Sequence, residues 1–180
     1  GIVPMGLNMP VTALTSGTTG DFDGNGFYDI LVVGNQGGFV AWNSPQGLAA
    51  FRQIPEMGMD GKRCEWDNKL ELVWLERRTP QGIEAWRFNG QASSKLAEFE
   101  GAPQTWRVSP GLGVTAIGMD ERQLELLRGD GTRQQITQQA SSLSDALITA
   151  VEGEPGTMIA QDRDRLRLGI STLNNGRWTP

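Results

Sequence analysis

The sequence predicts an all-β fold, a small array of short antiparallel strands in about four like units. Three observations carry that expectation. Glycine is abundant, at 24 of 180 residues, while stretches favouring helix are few. Short apolar segments bounded by turn residues recur along the chain. Their period is about 45 residues with several strands in each unit, the spacing of a propeller blade. Four such units fill the chain, so residues 1–180 are expected to form a single β-propeller-like domain, either whole or part of a larger propeller. A β-sandwich of ~14 short strands is the competing architecture.

The elements follow in order. Val11-Thr12-Ala13-Leu14 opens the first unit and reappears as Val114-Thr115-Ala116-Ile117 and Ile148-Thr149-Ala150-Val151. The apolar run Ile30 to Val33 has counterparts at Leu70 to Val73, Leu124 to Leu127 and Leu166 to Gly169. These four are expected to be the second strands of their units. Gly34 to Gly38, Arg77 to Gly82 and Gly129 to Gly131 each separate two apolar stretches and should close hairpins. Gly47 to Phe51 and Lys95 to Phe99 echo one another, each shortly before a proline. Trp42 and Trp86 stand on the third strands of consecutive units, which predicts packing between blades; a sugar-binding platform is the functional alternative. The segment Gln138 to Ala146 suits a short helix or a long loop, with Ser142 or Ser144 as its cap.

Composition excludes several functions. Net charge is −5, and the sixteen basic residues are scattered without a basic run, which argues against a nucleic-acid partner. No stretch approaches the ~20 apolar residues of a membrane helix, so membrane insertion is not expected. Cys64 is the single cysteine, which rules out an internal disulfide and predicts a buried, inert thiol. Histidine is absent, removing Ser-His-Asp and Cys-His catalysis and His-ligated zinc together.

The chemistry concentrates between residues 21 and 29. Asp21, Asp23 and Asn25 occupy positions 1, 3 and 5 of a nine-residue loop, and Asp29 occupies position 9. Gly24 and Gly26 let the backbone curl around one point, and Phe27 at position 7 can offer its carbonyl. An all-oxygen set with three carboxylates suits a hard cation of calcium size. An EF-hand would supply Glu at position 12, where this chain has Val32 inside an apolar run, so the loop feeds a strand instead of a helix. Without a cation, three carboxylates this close would repel one another.

The stretch from Thr19 to Gly34 resembles the FG-GAP/VCBS repeat, which builds β-propellers such as the calcium-bearing heads of integrin α chains and many bacterial cell-surface proteins. About 25 residues carry the likeness clearly. It implies that Asp21, Asp23, Asn25 and Asp29 ligate Ca2+ through their side chains and Phe27 through its carbonyl. It also implies an extracellular, cell-surface or periplasmic module that binds a protein partner or a cell-surface glycan. Opposite Asp29 the other units present Lys69, Gln123 and Arg165, and opposite Asp23 the second presents Arg63, so one site per chain is expected.

The remaining candidates have plainer readings. Arg128-Gly129-Asp130 is the tripeptide integrins recognise, but Gly-Asp-Gly is also what a tight turn requires. Asp162 and Asp164 lie among arginines and suit surface ion pairs. Glu65, Asp67, Glu71, Glu76 and Glu84 cluster in the second unit, yet no pair stands out as the two carboxylates a glycosidase needs. Alternation places Glu71 on the solvent face of a strand. The expectation is therefore a non-catalytic calcium-binding interaction module; the alternative is a lectin- or glycosidase-like propeller.

Overall fold

The computed structural model describes residues 13–58, 60–90, 92–101, 103, 105–117, 124–136, 147–150, 157–162, 167–174 and 177–179. Strands β1 (Leu14–Gly20), β2 (Asp29–Gly34) and β3 (Gly37–Ala41) lead to a small hairpin, β4 (Asn43–Ser44) and β5 (Gly47–Leu48). Strand β6 (Arg52–Ile54) then completes a four-stranded sheet in the order β1-β2-β3-β6. A 3₁₀ turn at Pro55–Met57 carries the chain onward. The second sheet is β7 (Gly61–Asp67), β8 (Leu72–Arg78), β9 (Gln81–Asn89) and β10 (Ala92–Glu100). The third comprises β11 (Thr105–Ser109), β12 (Gly113–Ile117), β13 (Leu124–Leu127) and β14 (Arg133–Ile136). The fourth comprises β15 (Leu147–Ala150), β16 (Thr157–Asp162), β17 (Arg167–Asn174) and β18 (Arg177–Thr179). Every pairing is antiparallel and each sheet is a simple meander, the layout of a propeller blade. There is no α-helix among the described residues, and none long and apolar enough to cross a membrane.

Consecutive sheets meet through their first strands, β1 against β7, β7 against β11 and β11 against β15. Side chains stitch these neighbours across gaps that no backbone ladder spans. Thr15 Oγ1 donates to the Gly61 carbonyl at 2.6 Å, and Ser16 Oγ accepts from the Cys64 N–H at 3.1 Å. One step along, Arg63 donates to the Trp106 carbonyl at 3.1 Å and Glu65 accepts from the Val108 N–H at 3.2 Å.

Strand alternation then gives the second sheet two apolar faces. Val73, Leu75, Trp86 and Phe88 join Leu31, Val33, Val40 and Trp42 in a core between the first and second sheets. Leu72, Trp74, Ile83 and Phe99 join Trp106, Val114 and Leu127 between the second and third. Trp42 and Trp86 thus pack between blades as expected, and being buried they offer no platform to a sugar. Burying each such side chain contributes about 2 kcal/mol or more. Cys64 lies in the first of these cores, where burial pushes its thiol up to about 11.

The predicted hairpins form. Asn35-Gln36 turns between β2 and β3, Thr79-Pro80 (a cis peptide) between β8 and β9, and residues 128–132 between β13 and β14. The alignment of the units does not survive. Leu124–Leu127 and the strand beginning at Arg167 are third strands; the second strands of those sheets are β12 and β16. Val114–Ile117 is accordingly a second strand, whereas Leu147–Ala150 is a first. Strand β8 begins at Leu72, so Leu70 and Glu71 belong to the preceding turn, where Glu71 takes a φ of 55°. Gly47-Leu48 lies in the small hairpin and Lys95 to Phe99 in β10, so their echo has no structural meaning. In the first two sheets the second and third strands are both buried on two faces, and a short apolar run cannot tell one from the other. The segment Gln138 to Ala146 lies outside the described residues, as do Gln123, Asp164 and Arg165.

Candidate metal centre

The loop from Asp21 to Tyr28 joins the two strands that pair Gly20 with Asp29. Gly24 and Gly26 adopt φ of 75° and 87°, the left-handed values that let so short a loop turn inward. Asp21 accepts from the Asn25 N–H and the Gly26 N–H, both at 2.9 Å. Asp23 accepts from the Asn25 N–H at 3.2 Å and from the Asn25 amide at 3.1 Å. Asn25 Oδ1 accepts from the Phe27 N–H at 2.8 Å. Its amide also donates to the Asn43 carbonyl at 2.8 Å. Local Asx bonds therefore wind the loop, as the Asp, Asn and Gly content requires.

Asp29 is the anchor. It is fully buried at the head of β2, and its two oxygens accept from the Phe22 N–H at 2.9 Å and the Asn43 N–H at 2.7 Å. Asp21, Asp23 and Asp29 present carboxylate oxygens within 4.8 Å of one another, the single such acidic trio among the described residues. Burial holds the Asp29 carboxyl above the usual carboxylate range; the two backbone bonds pull it back, and the Asp23 and Asp21 charges push it further up. Such a site holds more negative charge than its surroundings compensate, and a divalent cation would relieve that imbalance. The donor set fits calcium: hard oxygens, three of them anionic, on a loop tied down at both ends.

The structure thus brings together Asp21, Asp23 and Asp29 and places Asn25 against Asp23. Phe27 joins through its N–H on Asn25, with its side chain partly exposed. Sequence reasoning missed Asn43, whose N–H and carbonyl clamp the loop from 14 and 18 residues away. A backbone contact of that kind leaves no residue-type signature. It missed Gly20 as well, where a Cβ would stand 2.6 Å from the Trp66 indole.

The other sequence candidates are structural. Lys69, aligned with Asp29 in the sequence, lies in the β7–β8 turn, and Arg63 lies within β7. Glu84 is buried and accepts from Trp86 Nε1 at 2.8 Å, with Arg77 and Lys95 on its other oxygen at 3.2 and 3.3 Å. Glu76 accepts from Trp106 Nε1 at 2.8 Å, tying the second sheet to the third. Glu65 pairs with Arg63 and Arg107. In the Arg128-Gly129-Asp130 turn, Arg128 donates to Gln134 on β14 and Asp130 accepts from the Thr132 N–H and hydroxyl, so both charged ends have partners within the hairpin. Those bonds to Thr132 hold the exposed Asp130 carboxyl below the usual range.

Among known proteins, the family model described as the FG-GAP repeat matches residues 13–49. No curated protein matches the chain by sequence. A crystal structure of a protein from Lactobacillus plantarum superimposes with a TM-score of 0.57 at 9% identity, over 92% of this chain and 54% of that one. At that identity the likeness concerns the fold alone, and the chain spans about half the length of that protein. The matched segment coincides with β1, the acidic loop, β2, β3 and the small hairpin. The first sheet of this propeller-like array therefore carries an FG-GAP repeat.

Proposed function

We propose that the protein is a non-catalytic interaction module that works outside the cytoplasm and carries one calcium ion in the β1–β2 loop. The observation that supports this most is the convergence of Asp21, Asp23 and Asp29 within an FG-GAP repeat, with Asp29 buried and its carboxyl raised. Asn25 and the Phe27 carbonyl complete the proposed ligand set. The bound ion would neutralise the carboxylates and cross-link the loop to the head of β2. Asp29 holds the loop base through Phe22, and the Asn43 backbone holds its tip through Asn25, so rigidity gained there passes into the first sheet. Millimolar calcium outside cells would saturate even a weak site of this class.

A non-catalytic role is supported by the occupied state of the buried carboxylates. Glu76 and Glu84 sit on opposite faces of the second sheet, each bonded to a cation and an indole, and so cannot flank one bond. Partner binding is assigned to the loops at the ends of the sheets, where a rigid scaffold presents variable chain. Calorimetric titration with calcium should give about one site per chain and a raised melting temperature. A melting curve identical in calcium and in excess chelator overturns the calcium assignment.

A further inference from the structure

Beside the calcium loop, a groove of about 310 Å³ runs between the first and second sheets. Asp21, Asp23 and Tyr28 line it from the first sheet, and Asn68 and Glu71 of the β7–β8 turn line it from the second together with Asn89 at the end of β9. Its floor is aromatic: Trp66 meets Phe22 edge-on at 4.9 Å, and Phe22 stacks on Phe88 at 5.4 Å. We propose that this groove binds a hydroxyl-rich ligand, a sugar residue of a glycan. The inference rests on the reading as an interaction module and names the class of its ligand.

Three features point to a polyol. First, the groove holds polar side chains with nothing to bond. The side chains of Tyr28, Asn68, Glu71 and Asn89 make no hydrogen bond or ion pair with any other described residue. The Trp66 indole N–H has no partner among the described residues either, and it is not enclosed, so it reaches the surface. Second, these groups mix donors with acceptors. A hydroxyl both donates and accepts, so it can use the indole N–H and both ends of an amide, together with the Glu71 carboxylate. A guanidinium or ammonium group could use the acceptors only and would leave those donors idle. Third, Tyr28 is 73% exposed and lines the same groove as Trp66, so aromatic surface is available to the apolar face of a sugar ring. The volume lies at the small end of the range for ligand pockets, about 300–1,000 Å³, and suits one or two rings.

The backbone is arranged to the same end. Glu71 is one of two non-glycine residues with positive φ among those described, and this conformation holds it in the turn that forms the groove wall. Gly20 leaves the space in which the Trp66 ring lies.

The test is a titration of the protein in calcium with methyl α-mannopyranoside, methyl β-galactopyranoside, methyl β-N-acetylglucosaminide and a printed oligosaccharide panel, followed by saturation-transfer NMR. At least one probe should bind, with Asn68→Ala and Asn89→Ala each weakening it about fivefold or more. Tyr28→Ala should weaken it comparably. Asn68→Ala and Asn89→Ala, both outside the calcium loop, should keep the wild-type calcium isotherm and melting temperature, which separates failure of the groove from failure of the calcium reading. No binding to any probe overturns the proposal, as does binding that the variants leave unchanged. Capture of an arginine-rich peptide by the groove in place of the glycosides also overturns it.

Discussion

Two connections occupy the same place in neighbouring sheets and leave the first strand by different means. Both join first strand to second, and both centre on a fully buried aspartate. In the second sheet Asp67 ends β7, and one of its oxygens accepts from the Lys69 and Leu70 N–H groups at 3.0 and 3.1 Å. It reaches the Gly111 N–H of the third sheet as well, at 3.1 Å. Four residues suffice to turn the chain, and the carboxylate is satisfied by protein donors alone. In the first sheet Asp29 likewise accepts two backbone N–H groups, but it faces two further carboxylates across an eight-residue loop. Closing such a connection does not require those additional acids. Their presence in one turn and absence from the other marks the first as a place built to hold charge and the second as a joint.

The largest expected effects come from removing either anchor. Asp67→Ala should destabilise the protein by about 2–4 kcal/mol, because three backbone donors lose their acceptor. Urea denaturation should show that loss equally in calcium and in chelator. Asp29→Ala should cost a similar amount in chelator and more in calcium, since binding is lost too. Equal losses for Asp29→Ala in the two buffers would erase the distinction between the turns.

Next in size is a reversal of sign at the loop rim. Asp23→Asn removes one of three crowded charges, so in chelator the variant should match or exceed the wild type by up to ~1 kcal/mol. In saturating calcium it should fall below the wild type, which gains about 2.7 kcal/mol at one hundred times its dissociation constant. A variant weaker in both buffers would show that Asp23 serves the turn and not an ion.

Smaller still is the strain in the second turn. Glu71→Gly removes the cost of a left-handed φ and should raise stability by about 0.5–1 kcal/mol in either buffer. A loss would mean that the Glu71 side chain stabilises the turn.

The smallest effect lies between the turns. Cys64 on β7 touches Ser16 of β1, and its thiol is raised from 9.0 to about 11 by burial. The unfolded chain ionises first, so this contribution is fully present below pH 9 and is lost as pH rises through about 11. At pH 8 the native thiol should resist iodoacetamide. Rapid alkylation of the folded protein would show that β1 and β7 part readily.

The acidic loop was legible because its chemistry is local. Nine residues with alternating Asp, Asp and Asn and two glycines have few ways to arrange their oxygens, and those bonds close within the loop itself. The strand content was legible for a similar reason, since apolar runs between turn residues have little else to form. Register among the units was not. The match of Ile30–Val33 to Leu124–Leu127 paired a second strand with a third, because both lie inside a blade and bury both faces.

By itself the sequence determined the β architecture, the hairpins, the buried cysteine and the position of the charged loop. Only tertiary structure decided which carboxylates became structural ties, as Glu76 did with Trp106 across 30 residues. Only tertiary structure closed Asp29 with the Asn43 backbone and drew Tyr28, Trp66 and Asn89 to one groove. These contacts join segments whose neighbourhood is set by how whole sheets pack. Packing depends on the summed burial of two apolar faces, and no short stretch of residues encodes that sum.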